Sequence, residues 1–345
     1  MKIGILTFHW ATNYGAILQA YSLQTYLSEQ GHSVDIINYK PRSGDNNISY
    51  IIKHPSLWKN YKRILAQKKK ERLLAPFRDM YLNMTARYYT TTELTQIAEK
   101  YDALISGSDQ VFSPSFTLYG EDGKISSAYW QGFTGREIKK IGYAVSFGCT
   151  HYPENAAEVV KRWINGFDAI GVREQTGLQI LHELNYKGMK EVLPDPTLLL
   201  GKDIFERLGL KVPEKRDDYT CVYMLRHEIE LEGNVRYIDE KHHPLTMEQW
   251  LQTIVNAKQM VTNSYHGMVM AMFAHVPFAV LLETGGGSGM NDRFHTLLGR
   301  IGIEDRVATT VEEALNVLEK PVDFEKLDTA IAEYRKVGED FLKRI

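Results

Sequence analysis

Short apolar runs alternate along the chain with stretches in which apolar residues recur every three or four positions. That alternation is the signature of parallel strands joined by helices that cover both faces of a sheet. The pattern predicts a strand at 2–7, a helix at 16–30 and, after Gly31, a strand at 33–38, which together make a βαβ opening. Further strands are expected at 103–106, 140–146, 169–172 and 191–193, with helices near 156–165 and 174–184. A second series of strands follows at 220–225, 235–238, 260–262 and 278–282. Between the two series, 201–218 is charged and carries Pro213, so the linker is placed there. The last helix, about 324–344, sets Leu327, Ile331, Tyr334 and Phe341 on one face. The expected organisation is a domain at 1–205 with a basic helical insert at about 50–75, a second domain at 215–320, and a closing helix at 321–345.

Composition narrows the picture. A chain of 345 residues that is 43% hydrophobic is long and apolar enough to build two cores. Its net charge of -2 argues against a protein made to coat nucleic acid. Cys149 and Cys221 stand far apart without metal-ligand spacing, so neither a disulfide framework nor a zinc site is indicated, and a reducing cytoplasm fits. The opening residues read as a strand rather than a signal peptide, and no apolar run approaches the roughly 20 residues of a membrane span. Charge is nevertheless uneven: Lys53, Lys59, Lys62, Arg63, Lys68, Lys69, Lys70 and Arg72 face the single acid Glu71, interleaved with Trp58, Tyr61, Ile64, Leu65 and Leu73. Such a stretch suits either an anionic membrane surface or an ordinary solvated helix.

Ligands of open parallel sheets bind beyond the carboxyl ends of the strands, so polar residues there carry the candidate chemistry. Val261 to Gly267, followed by Met268 to Ala274, reads as a buried strand, a tight polar turn and an amphipathic helix. His266 is thereby set at a helix start, where N–H groups face an anion, and a histidine titrating near neutrality there suits a reaction on a small phosphorylated acid. Asn13 and Gly15 mark another helix start, but the turn lacks the three-glycine dinucleotide spacing and reads equally as a plain connection. Asp109 either orients or deprotonates a hydroxyl, or caps a short helix. Arg173 follows a buried strand and offers a planar fork to a carboxylate or phosphate, or else pairs with Glu174. Arg226 takes the equivalent place after the first strand of the second series. Asp195, between Pro194 and Pro196, reads as a turn builder, and 283–289 as a flexible glycine-rich loop.

In chain order, ISGSDQVF at 105–112, YAVSFG at 143–148, VREQTGLQIL at 172–181, VLPDPTLLL at 192–200, TNSYHG at 262–267 and Asn291-Asp292-Arg293-Phe294 resemble the polysaccharide pyruvyl transferases. The likeness spreads over about residues 1–305. It implies an α/β fold of two Rossmann-like domains with a central cleft, similar to the glycosyltransferase-B architecture, with the C-terminal helix packing back on the first domain. It also implies transfer of a carboxyethylidene unit from phosphoenolpyruvate to two hydroxyls of one sugar in bacterial cell-surface polysaccharide biosynthesis. The products are a cyclic ketal and phosphate, and the reaction needs no metal or further cofactor.

By the same likeness Arg173 matches the donor-binding arginine and His266 the catalytic histidine. Asn263, Ser264, Tyr265, Gly267, Asn291, Arg226 and Arg293 complete the expected donor set. Ser264 stands where better-studied members carry arginine, and Arg293 or Arg226 is the expected replacement. Asp109, with His9 as runner-up, is the expected base. His9, Trp10, Asn13, Tyr14 and Ser108 are the expected acceptor side, with Trp130 another ring able to stack on a sugar. Expected partners are phosphoenolpyruvate, a lipid-linked or free saccharide and an anionic membrane surface, but not nucleic acid. The expected location is the cytoplasm, including the inner face of the plasma membrane. Two alternatives share the architecture: a nucleotide-sugar glycosyltransferase and a non-catalytic saccharide-binding assembly protein.

Overall fold

The computed structural model describes residues 1–41, 61–135, 137–225, 227–285 and 291–344. These form two compact units, one of residues 1–65, 77–199 and 337–345, the other of residues 66–76 and 200–336. The chain passes between them at Leu199 and Leu200, just ahead of the charged stretch expected to link them.

In the first unit β1 (Lys2–Leu6), β2 (Ser33–Ile36), β3 (Ala103–Ser106), β4 (Lys139–Val145), β5 (Ala169–Val172) and β6 (Met189–Val192) form one parallel sheet in the order β2-β1-β3-β4-β5-β6. Every residue of β3 and β5 is buried, as expected of strands covered on both faces. The helix Tyr14–Glu29 starts where the Asn13 side chain accepts from the Ala16 N–H at 3.1 Å, and it is buried along most of its length. Phe112 and Trp130 stack in the core with ring centroids 3.8 Å apart.

The second unit carries β7 (Thr220–Tyr223), β8 (Val235–Tyr237), β9 (Gln259–Thr262), β10 (Phe278–Leu281) and β11 (Val307–Ala308), parallel in the order β11-β10-β9-β7-β8. In each sheet the order reverses once, between β1 and β3 and between β7 and β9, and such reversals open a crevice at the strand ends. The helix Tyr265–Phe273 is buried on all sides rather than amphipathic, which its nearly unbroken apolar run YHGMVMAMF explains.

The closing helix Phe324–Lys343 buries the face expected of it, with Leu327, Ile331, Tyr334 and Phe341 all inside. Its last turns belong to the first unit, where Phe341 lies edge-on to Tyr143 with centroids 6.1 Å apart. Earlier turns belong to the second, where the Asp328 carboxylate is 3.0 Å from His275 Nε2. Part of the basic insert lies in the helix Tyr61–Tyr81, while Lys53, Trp58 and Lys59 fall outside the described residues. Lys70 is buried with Nζ 2.5 Å from Glu240, and burial pushes its ammonium below the usual lysine range against the pull of that carboxylate. Lys69 Nζ donates to the His242 carbonyl at 3.1 Å. Lys70 is therefore committed inside the protein and is no part of a lipid-facing stripe. Among the described residues no helix is long and apolar enough to cross a membrane.

Candidate active site

Polar side chains gather at the carboxyl ends of both sheets. In the first unit Arg173 leaves β5 with its N–H bonded to the Val145 carbonyl at 3.0 Å, and its side chain is only 1% exposed. Its Nη1 is 3.3 Å from Asp195 Oδ2, Nη2 is 3.7 Å from Asp109 Oδ1 and Nε is 3.7 Å from Glu174 Oε2. Asp195 is fully buried and also accepts from Ser108 Oγ at 3.0 Å, Thr197 N at 3.0 Å and Thr197 Oγ1 at 2.8 Å. Behind it Thr7 Oγ1 donates to the Ser108 carbonyl at 3.0 Å, and Gln19 Nε2 donates to Thr7 Oγ1 at 2.8 Å. The expected fork is real, but it faces three carboxylates of its own unit. The Glu174 pairing weighed as the plainer reading is present, and the stronger anchor, Asp195, is the residue taken for a turn builder.

Asp109 sits at φ 82, a left-handed conformation that costs a non-glycine residue on the order of 1 kcal/mol but that aspartate tolerates better than most. Its Oδ1 accepts from the Gln110 N–H at 2.9 Å, and its side chain stays 23% exposed. It caps no helix, since the nearby helix Pro114–Leu118 begins after Ser113.

The expected acceptor side of this unit is largely closed. His9 is 1% exposed, with Nδ1 3.1 Å from the Thr7 carbonyl and Nε2 3.1 Å from Asn38 Oδ1. Burial drives its pKa from 6.5 to about 4, which leaves it neither a surface contact nor an effective base. Tyr14 and Ser108 are fully buried, and Asn13 is spent capping its helix. Trp10 is half-buried with Nε1 donating to Tyr129 Oη at 3.4 Å, while Trp130 is buried and donates to Thr117 Oγ1 at 2.9 Å.

In the second unit His266 occupies the first turn of the helix that follows β9, near the positive end of the helix dipole. It is 8% exposed, whereas Met268 to Met272 deeper in the same helix are wholly buried. Ser264 is the N-cap: its Oγ accepts from the Gly267 N–H at 3.2 Å, and its own N–H donates to Thr262 Oγ1 at 2.9 Å. Gly267 serves packing rather than ligand approach, because a Cβ there would lie 2.9 Å from the Tyr223 ring. Tyr265 is buried edge-on against His266, with centroids 5.3 Å apart, and also packs on Phe294.

Asn263 and Asn291, expected to contact a donor, are tied up instead. Asn263 Oδ1 accepts from the Leu225 N–H at 2.7 Å and its Nδ2 donates to Glu283 Oε1 at 2.7 Å. The Asn291 amide bonds both the N–H and the carbonyl of Glu283, at 3.0 and 2.8 Å. Glu283 Oε2 is in turn 3.6 Å from His227 Nδ1. Glu283 and His227 were missed in the sequence, although each stands just past a buried strand, the signal used for Arg173. Arg293 lies over the Phe294 ring, 5.2 Å from its centroid, and Arg226 lies outside the described residues. Among the described residues no group of three or more His, Cys, Asp or Glu side chains is gathered to hold a metal.

The fold class is thus two parallel-sheet α/β units, each with polar residues gathered at the carboxyl ends of its strands. The chain is similar in fold to the UDP-GlcNAc 2-epimerase from Neisseria meningitidis bound to UDP-GlcNAc, with a TM-score of 0.52 and 9% identity over 98% of this chain and 94% of that one. It is similarly related to the UDP-N-acetylglucosamine 2-epimerase from Rickettsia bellii, with a TM-score of 0.50 and 9% identity over 99% and 95% of the two chains. No curated protein matches the chain significantly in sequence. The chain belongs to the polysaccharide pyruvyl transferase family, whose profile matches residues 13–283. It is thus a transferase of polysaccharide biosynthesis, and the family implies a saccharide acceptor.

Proposed function

We propose that the protein transfers the pyruvyl unit of phosphoenolpyruvate to two hydroxyls of one sugar, with His266 as the acid that starts the reaction. The observation that carries this reading is the placement of His266 in the first turn of a buried helix, inside the segment matched by the family. The enol ester becomes electrophilic at its second carbon only when the third carbon is protonated, so the site must supply a proton. His266 gives that proton and turns the methylene into a methyl group. The first hydroxyl adds to the second carbon and its proton restores the imidazolium; phosphate leaves, and the second hydroxyl closes the ketal. The remaining proton departs on the phosphate. Atoms and charge balance without an oxidant or reductant.

Further roles are proposed from contacts within each unit. Arg173 acts as a positioning residue for Asp109, and Ser264 as the cap that fixes the turn bearing His266. The N-terminal end of the Tyr265–Phe273 helix and Arg293 are proposed to meet the negative charge of the donor. The protein is proposed to act in the cytoplasm on a free or lipid-linked acceptor.

The test is phosphate release from phosphoenolpyruvate measured against a panel of free and lipid-linked saccharides, beside consumption of UDP-sugars. Release that depends on a saccharide, with a new ketal methyl signal, is expected. Consumption of a UDP-sugar without phosphate release from phosphoenolpyruvate would overturn the reading in favour of a nucleotide-sugar transferase.

A further inference from the structure

Beyond the carboxyl ends of β7 and β8, wholly within the second unit, lies a cavity of about 710 Å³. Small-molecule sites run from roughly 300 to 1,000 Å³. Leu225, Ile229 and Leu231 give it apolar wall, and Tyr237, 48% exposed, adds an aromatic ring.

Its charge is lopsided. Among its described lining residues Glu228, Glu230, Asp239 and Glu240 stand against Lys241 and His227. Glu240 is matched by Lys70 at 2.5 Å and Glu228 by Lys241 at 3.7 Å, while Asp239 accepts from the backbone N–H groups of Lys241 and His242, both at 3.0 Å, and has His242 Nδ1 2.7 Å from its Oδ2. An anion such as phosphoenolpyruvate or an acidic sugar meets repulsion from these carboxylates. A neutral sugar does not: its hydroxyls donate to carboxylate oxygens while the C–H face of its ring rests on the tyrosine.

Bonds lead from this cavity to the helix that carries His266. His227 belongs to the wall, its Nδ1 is 3.6 Å from Glu283, and Glu283 accepts from Asn263, the residue just before the Ser264 cap. The loop after β7, which lines the cavity, is one of the two that flank the reversal of strand order, where open sheets place their ligands.

We propose that this cavity is the acceptor-saccharide subsite and that its carboxylates select uncharged sugars over acidic ones. The proposal rests on the pyruvyl-transfer reading. It moves the acceptor away from His9, Tyr14 and Ser108, which are buried, to a place with room for a sugar ring.

Saturation-transfer NMR on the full chain tests it, with the methyl glycosides of glucose, galactose, mannose and N-acetylglucosamine, methyl glucuronide and UDP as probes. Phosphorus NMR of phosphoenolpyruvate on the same samples reports the donor separately. The wild-type protein should transfer saturation to at least one neutral glycoside and not to the glucuronide. Tyr237→Ala should weaken the neutral glycoside about ten-fold or more and leave the phosphoenolpyruvate signal unchanged. Glu230→Gln, at a position exposed enough to spare the fold, should admit the glucuronide.

A neutral glycoside that binds Tyr237→Ala as well as wild type overturns the subsite, as does wild-type protein that binds none of the neutral probes. Displacement of the glycoside by UDP overturns it in favour of a nucleotide pocket. Loss of the phosphoenolpyruvate signal in wild-type protein, with glycoside binding intact, defeats the pyruvyl-transfer reading while the cavity stands as a sugar site.

Discussion

The carboxyl ends of the two sheets occupy equivalent places and are finished in opposite ways. At the first, the unit fills the space with its own side chains: Thr7 bonds Ser108, Asp195 gathers Ser108, Thr197 and Arg173, and His9 and Tyr14 are buried. At the second, Asn263, Glu283 and Asn291 brace the loops, and a cavity of about 710 Å³ lies beside them. Arg173 and His9 are committed to partners of their own unit at the first end, while a cavity lies beside the bracing residues at the second. A strand end therefore nominates a site, and the prior commitments of its side chains decide whether it can serve as one.

The sharpest way to break this comparison is at Asp195. Asp195→Ala removes a fully buried carboxylate from Arg173 and from three further donors, and breaking a buried pair costs about 3–5 kcal/mol. Urea denaturation should show a loss of that size; a midpoint equal to wild type would mean that the first end is not closed by this network.

His9 offers a pH test of the same closed end. Its folded pKa of about 4 lies below the ordinary 6.5, so the unfolded chain binds the proton more readily. The stability it contributes is therefore complete above pH 6.5 and is lost as pH falls to about 4. The loss amounts to about 3 kcal/mol for this one group. His9→Gln should flatten that acid limb of the stability curve, and an unchanged limb would contradict the burial of His9.

At the open end the expected effects are smaller. Asn263→Ala strips the acceptor from the Leu225 N–H and the donor from Glu283, a loss of roughly 1–3 kcal/mol readable as a lowered Tm. A Tm shift no larger than that of an exposed polar residue would remove the brace from the account. Ser264→Ala should cost about 1 kcal/mol through the lost cap, and Ser264→Asp, which keeps an acceptor, should recover most of it.

The fold was largely legible because periodicity is local. The strand series and the buried face of the last helix follow from residue spacing alone, whereas β11 is two residues long and leaves no pattern to detect. The helix after β9 was given the wrong period, since YHGMVMAMF is apolar throughout and an unbroken run does not reveal how many faces are covered. The site was legible as a set of locations and not as a set of roles. Arg173 meets Asp195 across 22 residues, and Asn263 meets Glu283 across 20, pairings fixed by which strands lie side by side. The prolines flanking Asp195 pointed to a turn, and nothing local showed that the same carboxylate holds the arginine.

His266 is proposed to deliver the proton that makes the donor reactive. The most direct test of this role is the turnover of phosphoenolpyruvate by His266→Gln protein in D2O with a saccharide acceptor present, followed by phosphate release and by deuterium in the ketal methyl group. The expected rate is lower by roughly two to four powers of ten with phosphoenolpyruvate still bound. Turnover and deuterium incorporation equal to those of the wild-type protein would contradict it.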